Sequence, residues 1–217
     1  MLSFTKVGQS DSFEINDDVV MHFNFAFNRV IAALNVLDSF EIDDEDKINQ
    51  CWNILVKERE YTHNLDIRAQ IIEEALQRIQ NNHPYQRRSI RTPQGEVFIP
   101  PMTDKGDDGL PKYDFEQDAG AIYASFFMQY HIDLLNEVDK LSWFKFSTLF
   151  ENLSENTPIK KIIAIRSDDL SGYIEDPERL TMITEQQDYY HLEIADEIER
   201  QRELEANGGE LFGNLFT

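Results

Sequence analysis

Apolar residues recur along most of this chain at intervals of three and four, the period that gathers them on one face of an α-helix. Phe27, Val30, Ile31, Leu34 and Leu37 form the first such line. Asp43 and Asp44 stand at the head of a second, whose inward face reads Ile48, Cys51, Trp52 and Leu55. A carboxylate there can accept from the free N–H groups of the first turn. Asn64 heads a third, with Leu65, Ala69, Ile72, Leu76 and Ile79 on one side. Three helices of this kind can cover one another's stripes. Ahead of them the pattern is different. Phe13-Glu14-Ile15 alternates, Asn16-Asp17-Asp18 suits a turn, and Val19 to Phe25 can return as a second strand. That predicts a small N-terminal β-hairpin, although Phe23 and Phe25 also fit a helix start.

Periodicity fails between 83 and 112. Pro84, Pro93, Pro100, Pro101 and Pro111 fall there with Gly95, Gly106 and Gly109. Each proline removes a backbone donor, so a loop is expected, with a short strand at Val97-Phe98-Ile99. Arg87, Arg88 and Arg91 make its first half locally basic. Helical spacing then resumes. Asp114 with Gln117 is a capping-box pattern opening a helix that buries Ala119, Ile122, Tyr123, Phe126 and Tyr130. Ser142 precedes a helix with Trp143, Phe146, Phe150 and Leu153 on one side. Thr157-Pro158 and Asp176-Pro177 each place a cap before a first-turn proline. The second opens the longest predicted helix, to about Glu205, along Leu180, Ile183, Tyr190, Ile194 and Ile198. Asn207-Gly208-Gly209 reads as its stop.

The expected fold is therefore mainly α, a bundle of about six to seven helices with a small N-terminal hairpin and a Pro/Gly-rich loop. Residues 1–82 would form a hairpin plus a three-helix subdomain, and 83–112 the loop. Residues 113–206 would be a C-terminal helical region packing on the first, and 207–217 a flexible tail.

Composition narrows what such a fold does. Hydrophobic residues make up 41% of the 217, with 15 Phe and 8 Tyr, which is enough to build a core. No apolar run approaches the roughly 20 residues that span a bilayer. The start, Met1-Leu2-Ser3-Phe4-Thr5-Lys6, lacks the pattern of a signal peptide. A single cysteine, Cys51, fits a reducing cytoplasm, and its place on an apolar face makes it a packing residue. The net charge of −21 repels phosphate backbones and anionic membranes. It leaves solubility, a basic protein partner or mimicry of nucleic acid.

Chemistry is sparse. Phosphate-binding glycine loops, zinc spacings and a nucleophile elbow are absent from the sequence. Glu60-Tyr61-Thr62-His63 and Asp188-Tyr189-Tyr190-His191 have the spacing of di-iron ligands, which needs carboxylate and imidazole on one helical face. Against that, the second copy has the shorter Asp, and Glu60-His63 lies where the helix pattern fades. No enzyme activity and no cofactor are expected. The acidic face with Glu193, Asp196, Glu197, Glu199, Glu203 and Glu205 reads as solvated. Two Leu-Phe pairs at the end, Leu211-Phe212 and Leu215-Phe216, are the candidate partner-binding residues. They either meet a partner or fold back onto the protein's own groove.

The stretches Tyr113-Asp114-Phe115-Glu116-Gln117-Asp118, Ile122 to Phe126, Gln129 to Leu134, Leu141 to Phe146, Leu149 to Leu153 and Ile165-Arg166-Ser167 carry a resemblance. Together they resemble the gene-product-fifteen family of siphophages and Gram-positive prophages. The family often has two adjacent tryptophans where this chain has Trp143-Phe144. The resemblance implies a role in building the long tail, as an assembly chaperone for the tape-measure protein, with the tail tube protein as a further partner. Self-association is compatible with that role. It implies work in the host cytoplasm and absence from the mature virion, the alternative being a structural tail or connector component. Mimicry of nucleic acid ranks below both, and the family brings no catalytic residues.

Overall fold

The structure is a computed structural model that describes the backbone of residues 12–16, 19–80, 90–91, 97–98 and 110–213. Side chains are described for residues 12, 20–79 and 110–204. The architecture is mainly helical and falls into two compact units. One comprises Met1–Pro100 with Ile132–Asn152, the other Pro101–His131 with Leu153–Thr217.

In the first unit β1 (Ser12–Asn16) pairs antiparallel with β2 (Val19–His22), the register slipping between Glu14 and Asn16. The chain stays extended to Ala26. Met21, Phe23 and Phe25 are buried while His22 is exposed, the period of two expected of a half-buried strand. Strand β2 itself ends at His22, short of the expected Phe25; Phe23 makes an isolated bridge with Val56 and Phe25 precedes the first helix, which begins at Phe27, so neither starts a helix. Both ends of this segment find backbone partners elsewhere. Asn24 N–H donates to Leu55 O at 2.7 Å and Lys57 N–H to His22 O at 2.9 Å. Phe27 N–H donates to Leu141 O at 2.9 Å, and Trp143 N–H to Phe25 O at 2.7 Å.

Helices α1 (Phe27–Asp38), α2 (Asp44–Leu55) and α3 (Leu65–Gln80) follow, α2 packing against both others. Asp43 accepts from Asp46 N–H at 2.8 Å and Asn64 from Ile67 N–H at 3.1 Å, the caps expected of them. The buried faces are Phe27, Val30 and Ala33; Cys51, Trp52 and Leu55; and Ile71, Ile72, Ala75 and Ile79. Ile31, Leu34 and Leu37 are only half-buried, so Ala33 marks the true centre of the first stripe.

Cys51 lies in this core, its Sγ donating to Ala33 O at 3.7 Å. Burial pushes its thiol up to about 11. Thiolate is the reacting form, so native protein near neutral pH should react with a disulfide reagent at least about a hundredfold more slowly than unfolded chain. Equal rates before and after denaturation would contradict this placement.

Within the proline-rich stretch β3 (Ile90–Arg91) pairs antiparallel with β4 (Val97–Phe98). The expected strand at Val97-Phe98 is present there, whereas Ile99 lies outside the described residues.

Residues 132–152 belong to the first unit, where the sequence pattern grouped all of 113–206 together. The Phe25–Trp143 and Phe27–Leu141 backbone bonds explain the difference, because they stitch α5 (Trp143–Glu151) to the N-terminal strand. Ser142 caps α5, accepting from Lys145 N–H at 3.4 Å. Its aromatic face completes the core: Phe25 meets Phe144 edge-on at 5.5 Å, and Phe27 stacks on Phe146 at 4.9 Å. Arg29 pairs with Asp139 at 2.7 Å, closing the same join from outside.

The second unit contains α4 (Ala119–Tyr130), α6 (Pro158–Arg166), a 3-10 turn at Leu170–Tyr173, α7 (Pro177–Tyr189) and α8 (Glu193–Gly213). Three expectations need correction here. Asp114 heads a turn and not the helix itself: its carboxylate accepts from Glu116 and Gln117 N–H groups, and α4 starts only at Ala119. The long helix expected from Asp176 to Glu205 is broken at Tyr190-His191-Leu192 into α7 and α8, giving eight helices among the described residues. Finally, Asn207-Gly208-Gly209 does not end α8, which runs on to Gly213, so residues 207–213 are helix and not tail. Glycine costs a helix interior about 1 kcal/mol and does not forbid it.

Candidate functional site

The second unit is organised around one buried ion pair. Asp118 and Arg166 bond through both arms, at 2.6 and 2.9 Å, with side chains 5% and 9% exposed. A guanidinium fork matches a carboxylate in this two-bonded geometry. Arg166 also donates to Tyr190 O and to Lys112 O, and Asp118 accepts from Asp114 N–H at 3.0 Å. Gln117 bridges the break between the last two helices, donating to His191 O at 2.6 Å and accepting from Glu193 N–H at 3.1 Å. These bonds occupy backbone groups that a continuous helix would need. They are the physical reason for the break.

A second polar joint lies between α4 and α6. Ser125, fully buried, donates to Ala121 O at 2.6 Å and accepts from Ile159 N–H at 3.0 Å. Thr157 holds the N-cap position of α6 but makes no side-chain cap, its hydroxyl donating to Ser154 O instead. The free N–H of that helix is therefore satisfied from another helix. Gln187 of α7 donates to Ile165 O and Asp168 O, covering carbonyls at the other end of α6. Every charge in these joints is spent on holding elements together.

The residues with di-iron spacing do not form that site. Glu60 and His63 lie in the non-helical link before α3, and His63 Nδ1 sits 3.3 Å from Arg68 Nη2. Asp188 is near the end of α7, His191 lies beyond it, and His191 Nε2 is 2.7 Å from Asp196. Neither pair keeps carboxylate and imidazole on one helical face. Among the described residues no group of three or more potential metal ligands is drawn together. A surface depression of about 410 Å³ is lined by Asp114, Glu116, Gln117, Glu193 and Ile194, but the Asp114 and Gln117 side chains are already bonded to backbone.

Of the predicted partner-binding residues, Leu211 and Phe212 fall on the last turn of α8, with side chains outside the described set. Leu215 and Phe216 lie outside the described residues altogether. No side-chain geometry bears on either pair.

A different surface emerges on α4. In a chain with 28% charged residues, this helix has none. One face, through Ile122, Ser125 and Phe126, is buried. The opposite face, through Gly120, Ala124, Phe127 and Met128, is exposed, with Phe127 at 53% and Met128 at 51%. Tyr123 stacks on Phe127 at 6.2 Å and forms its rim. A Cβ at Gly120 would meet no atom within 4 Å, so the face is open at that end. A helix apolar on both sides has more greasy surface than its own fold buries. The signal was legible as a run without a charge. It was missed because the inward spacing of Ile122 and Phe126 already accounted for the helix.

Among the described residues no helix is long and apolar enough to cross a membrane. Comparison with curated proteins and with solved structures finds no match. A family model described as Bacteriophage Gp15 protein matches residues 9–192, which takes in the Asp118–Arg166 joint and the α4 face and stops before α8. The chain therefore belongs to the Bacteriophage Gp15 protein family, which makes it a phage protein of the structure- or assembly-related kind.

Proposed function

We propose that this protein is a tail assembly chaperone that binds the tape-measure protein and keeps it soluble in the host cytoplasm until the tail tube encloses it. The observation that carries the reading is the exposed, uncharged face of α4 in a chain of net charge −21. A long helical client with apolar stripes needs a greasy surface to sit on. The complex also needs charge elsewhere to stay dispersed. The first is offered by Phe127 and Met128, the second by the acidic exterior. Binding, with no chemical turnover, is the whole of the activity in this reading, and moderate affinity suits a client that the tube must later displace.

Co-expression with the tape-measure protein from the same phage tests it. The wild-type chain should hold the client in the soluble fraction. Phe127→Glu with Met128→Glu should weaken capture about tenfold or more, because both changes put a charge into the contact. An equally soluble client with and without the chain would remove the proposal. Recovery of the protein at stoichiometric copy number in purified virions would replace it with a structural tail component.

A further inference from the structure

The outer line of α7 alternates acid and apolar residues. Glu178, Met182, Glu185 and Tyr189 follow at steps of four, three and four, which keeps all of them on one narrow stripe. All are exposed, Met182 at 50% and Tyr189 at 81%. The carboxylates of Glu178 and Glu185 have no hydrogen-bond or ion-pair partner among the described residues. Arg179, the basic residue of this helix, lies over the Tyr173 ring at 4.8 Å.

Helix stability does not account for the pattern. An acid at Glu178 complements the positive end of the helix, but Glu185 and Asp188 sit in its C-terminal half, where carboxylates oppose the dipole and no basic residue offsets them. Methionine and tyrosine are side chains that protein interfaces favour and exposed helix faces do not need. We propose that this stripe docks a basic amphipathic helix of another protein. Its apolar residues would pack on Met182 and Tyr189, and its arginines or lysines would pair with Glu178 and Glu185. Charge complementarity selects that occupant: a second copy would bring acid against acid, and a purely apolar segment would leave two carboxylates facing it unpaired. This surface is separate from the α4 face, and the inference does not rest on the tail-assembly reading.

The test uses the full chain and two labelled helical peptides with identical leucine positions, one with arginine and the other with glutamate between them. Fluorescence anisotropy at physiological salt should show binding of the arginine peptide only. Met182→Ser with Tyr189→Ser leaves net charge unchanged and should weaken it about tenfold. Glu178→Gln with Glu185→Gln should weaken it several-fold. Glu199→Gln with Glu203→Gln on α8, an equal loss of charge, should leave it unchanged. Circular dichroism checks that each variant stays folded, and should the serine pair lose helix, the two glutamine pairs decide. No binding of the arginine peptide, undiminished binding by the serine pair, or equal losses in the two glutamine pairs would overturn the proposal.

Discussion

Arg166→Leu is expected to destabilise the second unit by about 3–5 kcal/mol, the usual cost of stranding one partner of a buried ion pair. The leucine leaves Asp118, 5% exposed, with a charge that nothing nearby neutralises. It also strips a donor from Tyr190 O and Lys112 O, and each part-buried acceptor left unpaired adds a smaller desolvation cost. Removing both partners, as Asp118→Leu with Arg166→Leu, should cost much less than the sum of the single changes, since no charge then remains to be buried. Urea unfolding followed by far-UV circular dichroism measures all three variants. A single-variant cost under about 1 kcal/mol would mean that the pair is solvated in solution.

The second large effect is expected at Trp52. It is fully buried, its indole N–H donates to Arg59 O at 3.0 Å, and Arg68 lies over its ring at 5.2 Å. Trp52→Ala should cost about 3–5 kcal/mol through lost burial and the cavity left behind. Trp52→Phe keeps much of the volume but orphans the Arg59 carbonyl, so an intermediate loss of about 1–3 kcal/mol is expected. The chain has two tryptophans, Trp52 and Trp143, and both lie in the first unit. Emission from Trp143 therefore still follows that unit in either variant. Equal midpoints for the Ala and Phe variants, both of which lack the indole N–H, would show that packing volume does not matter at this position.

Both sites bear on how much was legible from the chain alone. Trp52 was: it falls on a line with Cys51 and Leu55 behind an Asp43 cap, and burial, cap and helix are all present in the structure. Asp118–Arg166 was not. Arg166 sits 48 residues from its partner, and a charged residue at a helix end reads as a solvated one until its partner is known. Ser125 is similar, a polar residue whose use is to satisfy a donor 34 residues away. The α4 surface was half legible, since the missing charges could be counted but the exposed side could not be identified.

The amino-acid order by itself determined where α2, α3, α5 and α7 start, because caps such as Asp43, Asn64, Ser142 and Asp176 act within a turn of one residue. It also determined the hairpin at the N-terminus and the acidic character of the exterior. Tertiary structure alone decided that α7 and α8 are separate, since Gln117 and Arg166 reach across to claim the backbone at Tyr190, His191 and Glu193. It alone assigned residues 132–152 to the first unit, through bonds between Phe25, Phe27, Leu141 and Trp143. The reason is the same in both cases: a backbone group takes whichever partner is presented to it, and partners far away in sequence are set only when the chain has closed.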